Sequence, residues 1–155
     1  MTNTEPVQRK PRKNAKRAIT GFLAALLFVL CFVVFFRLNF TSVQVSGESM
    51  IPTLHNGQKV LVSSAYWLVG RIKPGDIVVI REEEANDFII KRVFKMAGDA
   101  VDTYNAPTSW RLESGPYIVP EKSIYVLGDN RQVSEDSRKF GSVQLSRVIG
   151  KVVAY

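Results

Sequence analysis

The sequence has 155 residues, one histidine, one cysteine and a formal net charge of +7. That length holds one ordinary domain and an attachment rather than two domains. Residues 1–17 contain six basic groups against a single acid, Glu5, whereas the remaining 138 residues carry 15 basic and 13 acidic groups. The basic character therefore sits in the tail, and the rest lacks the excess that phosphate neutralisation requires, which argues against nucleic-acid binding. Cys31 has no partner for an intramolecular disulfide, and no Cys–His zinc cluster can be assembled. No phosphate loop or metal-ligand spacing is visible, so neither metal nor cofactor is expected.

The tail, residues 1–17, is polar and holds two prolines, a composition that predicts disorder and contact with anionic lipid. Residues 18–36, AITGFLAALLFVLCFVVFF, are uncharged throughout. As a helix this segment spans about 28 Å, close to the thickness of a bilayer's hydrocarbon core. A small domain seldom hides a helix that is apolar on every side. A cleaved signal peptide has a shorter apolar region, roughly 7–15 residues, followed by a small-x-small site. The sequence after Phe36, RLNFTSVQVSG, contains no Ala-x-Ala. A retained single-pass anchor in the cell membrane is expected. Six Lys/Arg residues precede it and only Arg37 follows until Lys59, so the positive-inside rule puts the tail in the cytoplasm and residues 37–155 outside.

Beyond the anchor, short Val- and Ile-rich runs recur at residues 58–63, 76–80, 87–94, 123–128 and 147–155. Turn signals separate them: Asn56-Gly57, Lys73-Pro74-Gly75, Ala97-Gly98-Asp99 and Ser114-Gly115-Pro116. Runs of this length and spacing, without a long helical period, predict a mainly β domain over residues 37–155.

Four segments carry reactive groups. They are Ser46-Gly47-Glu48-Ser49-Met50-Ile51-Pro52-Thr53, Gly75-Asp76-Ile77-Val78-Val79, Ile89-Ile90-Lys91-Arg92-Val93 running on to Gly98-Asp99, and Gly128-Asp129-Asn130-Arg131 continuing through Ser134, Asp136, Ser137 and Arg138. In this order, behind a transmembrane helix, they resemble the motif boxes of the type I signal peptidases, membrane-anchored serine peptidases of family S26. The small size and single anchor look like the Gram-positive form. The resemblance implies a signal-peptidase-like β-sheet catalytic domain that removes signal peptides from secretory preproteins, with Ser49 as nucleophile and Lys91 as general base.

The chemistry is coherent on its own terms. A serine hydroxyl needs a neighbouring base, and His55, only six residues beyond Ser49, is the sole histidine. Lysine serves instead when neutral, which requires its pKa to fall from about 10.4 toward 7–8. In a strand, Ile89, Lys91 and Val93 share one face and Ile90, Arg92 and Phe94 the other, so Lys91 lies between two aliphatic neighbours. Periodicity alone is equally compatible with a lysine snorkelling from a sheet edge. Gly47 lets backbone approach closely, as a carbonyl held near N–H donors requires. Some members of the family have a serine there that helps the oxyanion hole. In this chain the resemblance shifts that load to the Ser49 backbone N–H.

By the same resemblance Ser134 hydrogen-bonds and orients Lys91, Asp129 pairs with Arg92, and Asp136 pairs with Arg138. A polar turn with solvated charges is the alternative for that segment. Gly75-Asp76 reads as a turn feeding a buried strand. Lys95 and Ala97 stand where the family usually has glycine and proline. Only 28 residues separate Asp99 from Gly128, too few for a large inserted domain. His55 reads as a turn or surface residue, Glu82, Glu83 and Glu84 as a solvated loop, and Trp67 and Trp110 as either membrane-interface or core residues. Two rivals keep part of this picture: a processing peptidase dedicated to a particular client of pilin or conjugation type, and an anchored, non-catalytic assembly factor.

Overall fold

The computed structural model describes residues 13–82 and 87–155, with the side chains of residues 13–15 and of Leu112 left aside. Most of the basic tail, and Glu83 and Glu84, lie outside the described residues. The chain divides into two compact units, one ending at Leu38 and one covering Asn39–Tyr155.

The first unit contains helix α1 (Lys13–Asn39). Its stretch from Lys16 to Asn39 is long and apolar enough to cross a membrane. The helix continues three residues past Phe36, where the sequence suggested its end. Arg37 sits in the last turn, where a cation interacts favourably with the carbonyl end of the helix.

Among the described residues the second unit has nine strands: β1 (Phe40–Gln44), β2 (Lys59–Ser63), β3 (Ile77–Arg81), β4 (Phe88–Met96), β5 (Ala100–Val101), β6 (Tyr117–Ile118), β7 (Ser123–Leu127), β8 (Val143–Gln144) and β9 (Val148–Ala154). Seven form one sheet in the order β1-β2-β9-β3-β4-β7-β8, and β5 pairs with β6. Every pairing is antiparallel. Two single-turn helices, α2 (Tyr66–Val69) and α3 (Ser137–Phe140), interrupt the connections. The five apolar runs became β2, β3, β4, β7 and β9. Not anticipated were β1, whose FTSVQ carries a single strong aliphatic, and the two-residue strands β5, β6 and β8, too short for any periodicity to reveal.

Alternation along the strands divides the apolar residues between the two faces of the sheet. On one face Ile77, Val79 and Ile90 pack with Met50, Leu54 and Val60. On the other Val78, Ile80 and Val93 pack with Ile124 and Val126. β3 is covered on both sides, which is why IVVI reads as a continuous apolar run. Lys91 shares the face of Val93, while Arg92 and Phe94 lie on the face where Tyr125 and Leu127 pack.

The register also draws one row across five strands. Phe40 lies opposite Ser63, Ser63 opposite Lys151, Lys151 opposite Val78, and Val78 opposite Lys91.

Candidate active site

Ser49 sits in the turn-rich connection between β1 and β2. Gly47, two residues earlier, has φ +88°, a conformation costly for any residue with a Cβ, and its N–H donates to Asn56 Oδ1 at 3.0 Å. Met50, the next residue, is 1 % exposed and packs into the core, so the polypeptide around the serine is pinned from below. The alternation of β4 carries Lys91 to the same place. Lys91 is 4 % exposed, and its Nζ donates to Ser49 Oγ at 2.8 Å. Burial lowers the lysine pKa, opposed by the negative charges of Asp136, Glu135 and Glu82. The two groups lie in an open cleft of about 480 Å³ whose lining includes Gly47, Ile89, Val133 and Phe140.

β4 has a further property beside Lys91. It pairs with β3 along Phe88–Arg92, whereas its ladder to β7 begins at Arg92. Residues 88–91 of β4 therefore present an edge on the β7 side that no strand of the sheet's described ladders occupies.

The segment after β7 packs directly against the serine's backbone. Asn130 N–H donates to the Ser49 carbonyl at 2.9 Å. Gly128 lies so close that a Cβ there would stand 2.6 Å from the same carbonyl oxygen and would overlap the Ser134 side chain. Neither contact was foreseen from the sequence. A glycine before aspartate reads as a turn signal, and the backbone crowding that demands it is visible only in three dimensions. Ser134 is 8 % exposed, and its Oγ makes no hydrogen bond to Lys91. The bond from Ser134 to Lys91 that the resemblance implies is thus not made in this structure. Lys91 Nζ turns to Ser49 Oγ, and the Ser134 side chain lies over Gly128.

Both carboxylate–guanidinium pairs are formed. Arg92 Nε and Nη2 donate to the two Asp129 oxygens at 2.8 and 2.6 Å, and its Nη1 and Nη2 also reach the Gly75 carbonyl and Thr53 Oγ1. Burial would raise the Asp129 pKa, but the Arg92 and Thr53 hydrogen bonds outweigh it and hold the carboxyl below its ordinary value. Asp136 is completely buried and accepts from Arg138 Nε and Nη2, from the Arg138 backbone N–H, and from Gly128 N–H at 3.0 Å. Its pKa is likewise lowered, because those bonds overcome the opposing effect of burial. These two pairs tie down both ends of the Gly128–Arg138 segment.

The remaining residues of interest lie elsewhere. His55 is exposed and closes a turn in which its N–H donates to Gln58 Oε1. Trp110 is half-buried, meets Tyr117 edge-on and donates to the Gly115 carbonyl. Trp67, in α2, is 74 % exposed. Asp76 does more than shape a turn, since it forms an ion pair with Lys151 of β9 at 2.9 Å.

Comparison with known proteins gives consistent matches. The family model described as signal peptidase, peptidase S26, matches residues 16–109 and 103–155. The signal peptidase I of Bacillus licheniformis is 31% identical over 163 aligned residues, covering 88% of this chain and 88% of that protein. The signal peptidase IB of Staphylococcus aureus (strain COL) is 29% identical over 160 residues, covering 83% of each. Among solved structures, a signal peptidase I from Enterococcus faecalis V583 superposes with a TM-score of 0.39 at 22% identity, covering 54% of this chain and 97% of that one.

Proposed function

The chain belongs to the signal peptidase family, peptidase S26, and we propose that it removes signal peptides from exported preproteins at the outer face of the cytoplasmic membrane. Residues 18–36 anchor it, the basic tail stays in the cytoplasm, and the β domain works outside. The orientation rests on the six basic residues that precede the helix.

The observation that carries the mechanism is the 2.8 Å separation of Lys91 Nζ and Ser49 Oγ at a buried lysine. When the amine is neutral the same separation serves with donor and acceptor exchanged. Lys91 takes the hydroxyl proton as Ser49 Oγ attacks the scissile carbonyl. The resulting tetrahedral oxyanion is stabilised by the Ser49 backbone N–H, in a loop held by Gly47 and Asn130. Lys91 returns the proton to the departing amine of the mature protein, leaving an ester between Ser49 and the signal peptide. Water, deprotonated by the same lysine, hydrolyses that ester and restores the serine. The cleavage-site segment adds as a strand to the open edge at residues 88–91, which brings its carbonyls past the dyad while small side chains fill shallow pockets. Asp129–Arg92 and Asp136–Arg138 act as clamps that hold the loop behind the serine.

The test is cleavage of a preprotein with an Ala-x-Ala site by the solubilised full chain, beside Ser49→Ala and Lys91→Ala. Cleavage after the second alanine by the parent protein alone is the expected result. Processing retained by Ser49→Ala overturns the mechanism.

A further inference from the structure

The ladder between β3 and β4 runs one pair beyond the end of β3, because Glu82 N–H donates to the Asp87 carbonyl at 2.9 Å. Alternation fixes which side chains then share the face of Lys91: Ile89 and Asp87 along β4, and Val78, Ile80 and Glu82 along β3. Glu82 and Asp87 are therefore directly opposed across two strands, a like-charge placement that destabilises the pairing unless something neutralises it. Both residues are exposed, and among the described residues neither forms an ion pair. Asp87 Oδ1 accepts from the neighbouring Phe88 N–H, which brings no charge. Arg81, the nearest base in the sequence, falls on the opposite face by the same alternation.

The cleft around the dyad has the same sign. Glu48, Glu82 and Glu135 line it, and among the described residues its one lining base is Lys91, which must be neutral to act. Glu135 meets Lys139 at 2.6 Å, but both side chains are largely exposed, so that pair opens at little cost. Asp136 is already spent on Arg138. Carboxylates placed in this way oppose the neutral lysine, and a cation brought by the substrate would relieve that opposition. A substrate strand on the open edge at residues 88–91 runs beside the same row. Asp87 lies four residues from Lys91, about 13 Å along the strand, so the substrate residue level with it is the fourth from the scissile bond. An even separation puts that side chain on the same face of the substrate strand as the residue at the dyad, turned toward the carboxylates.

We infer that Glu82 and Asp87 determine specificity, selecting preproteins that carry lysine or arginine at the fourth residue from the scissile bond, while Glu48 and Glu135 disfavour acidic segments in the cleft. The inference rests on the proposed peptidase reading and on strand addition at β4, and it adds a charge requirement to the small-x-small rule.

The test uses the full chain in neutral detergent and a set of peptides with one Ala-x-Ala site. Lysine, glutamine or glutamate is placed in turn at each of several positions on both sides of the scissile bond. At low salt, and at a pH where Lys91 is neutral, kcat/KM for lysine over glutamine is expected to reach about fivefold at the fourth residue on one side, as two exposed ion pairs supply. High salt is expected to bring that ratio close to one. Glu82→Gln with Asp87→Asn is expected to abolish the preference, and Glu82→Lys with Asp87→Lys to turn it toward glutamate. Because the readout is a ratio between substrates, a variant with lower overall activity still reports, and the scan on the parent protein needs no variant. A ratio near one at every position, or a preference for lysine that survives both high salt and the neutral variant, overturns the inference alone. A parent protein that cleaves none of the peptides removes the proposed function and this inference with it.

Discussion

Replacing Gly128 by alanine tests how tightly the backbone of the proposed nucleophile, Ser49, is held. The added Cβ meets the Ser49 carbonyl oxygen at 2.6 Å, where ordinary contact begins near 3.4 Å. The oxygen belongs to backbone and cannot rotate away, so the loop carrying Ser49 must retreat by about 0.8 Å. That movement stretches the Asn130 N–H bond to the same carbonyl and draws Ser49 Oγ off its 2.8 Å contact with Lys91. Overpacking of this kind costs about 1–3 kcal/mol of stability. A misplacement approaching 1 Å costs on the order of a hundredfold in rate. The expected outcome is a lower urea midpoint together with a kcat/KM on a preprotein substrate reduced by about two decades. The double variant Gly128→Ala/Ser134→Gly removes the side-chain overlap but not the clash with Ser49, so it recovers part of the stability and little of the activity. A Gly128→Ala protein with parental kcat/KM would refute the argument, because it would mean the loop accommodates a methyl group without moving the serine.

Other outcomes follow from the electrostatics. Because burial lowers the Lys91 pKa and the proposed base must be neutral, activity is expected to rise with pH through that lowered value, and Lys91→Arg, permanently charged, to be inactive at every pH. Glu82→Gln combined with Glu135→Gln removes two charges that oppose the shift, so the acidic limb of the kcat/KM–pH profile moves to lower pH. The depressed lysine also makes stability climb with pH between its folded value and about 10.4, since the unfolded chain binds the proton more readily there. Asp129 and Asp136 work in the other direction: their contribution is present above the ordinary carboxylate range and is lost as pH falls through their lower folded values, a loss that acid titration followed by circular dichroism would record. Asp136→Ala strands the buried Gly128 N–H and the Arg138 guanidinium, and a loss of about 3–5 kcal/mol in urea unfolding is expected. Asp129→Asn, at a pair with one partner 32% exposed, is expected to cost less, about 1–2 kcal/mol after solvent screening.

The sequence disclosed what alternation and residue type encode. IVVI had to be a strand covered on both faces, and IIKRV placed a lysine between aliphatics on one face with an arginine on the other. Both acid–arginine pairs were accessible through the resemblance, because a carboxylate and a guanidinium mark each other chemically. Contacts made by backbone were not. Asn130 touches Ser49 through its N–H, which any residue but proline supplies, and Gly128 is required by a distance rather than by a pattern. The strand β1 escaped because its residues are mostly polar and half of its pairing value lies in β2. Ser134 shows the opposite risk: its place in the motif suggested a bond to Lys91, while Lys91 Nζ turns to Ser49 Oγ and the Ser134 side chain lies buried beside Gly128.

The row from Phe40 to Lys91 spans four strand spacings, about 19 Å, and adds almost nothing along the strand direction. The lysine is thus set, within the sheet, four strands away from the strand that follows α1 in the chain. A preprotein held in the same bilayer by its own signal peptide then meets the enzyme by lateral diffusion in a thin layer, where tethering raises local concentration well beyond the bulk value. Turnover in the cell would consequently follow how many molecules share a given area of membrane, and a shallow, open cleft with weak affinity for free peptide would suffice.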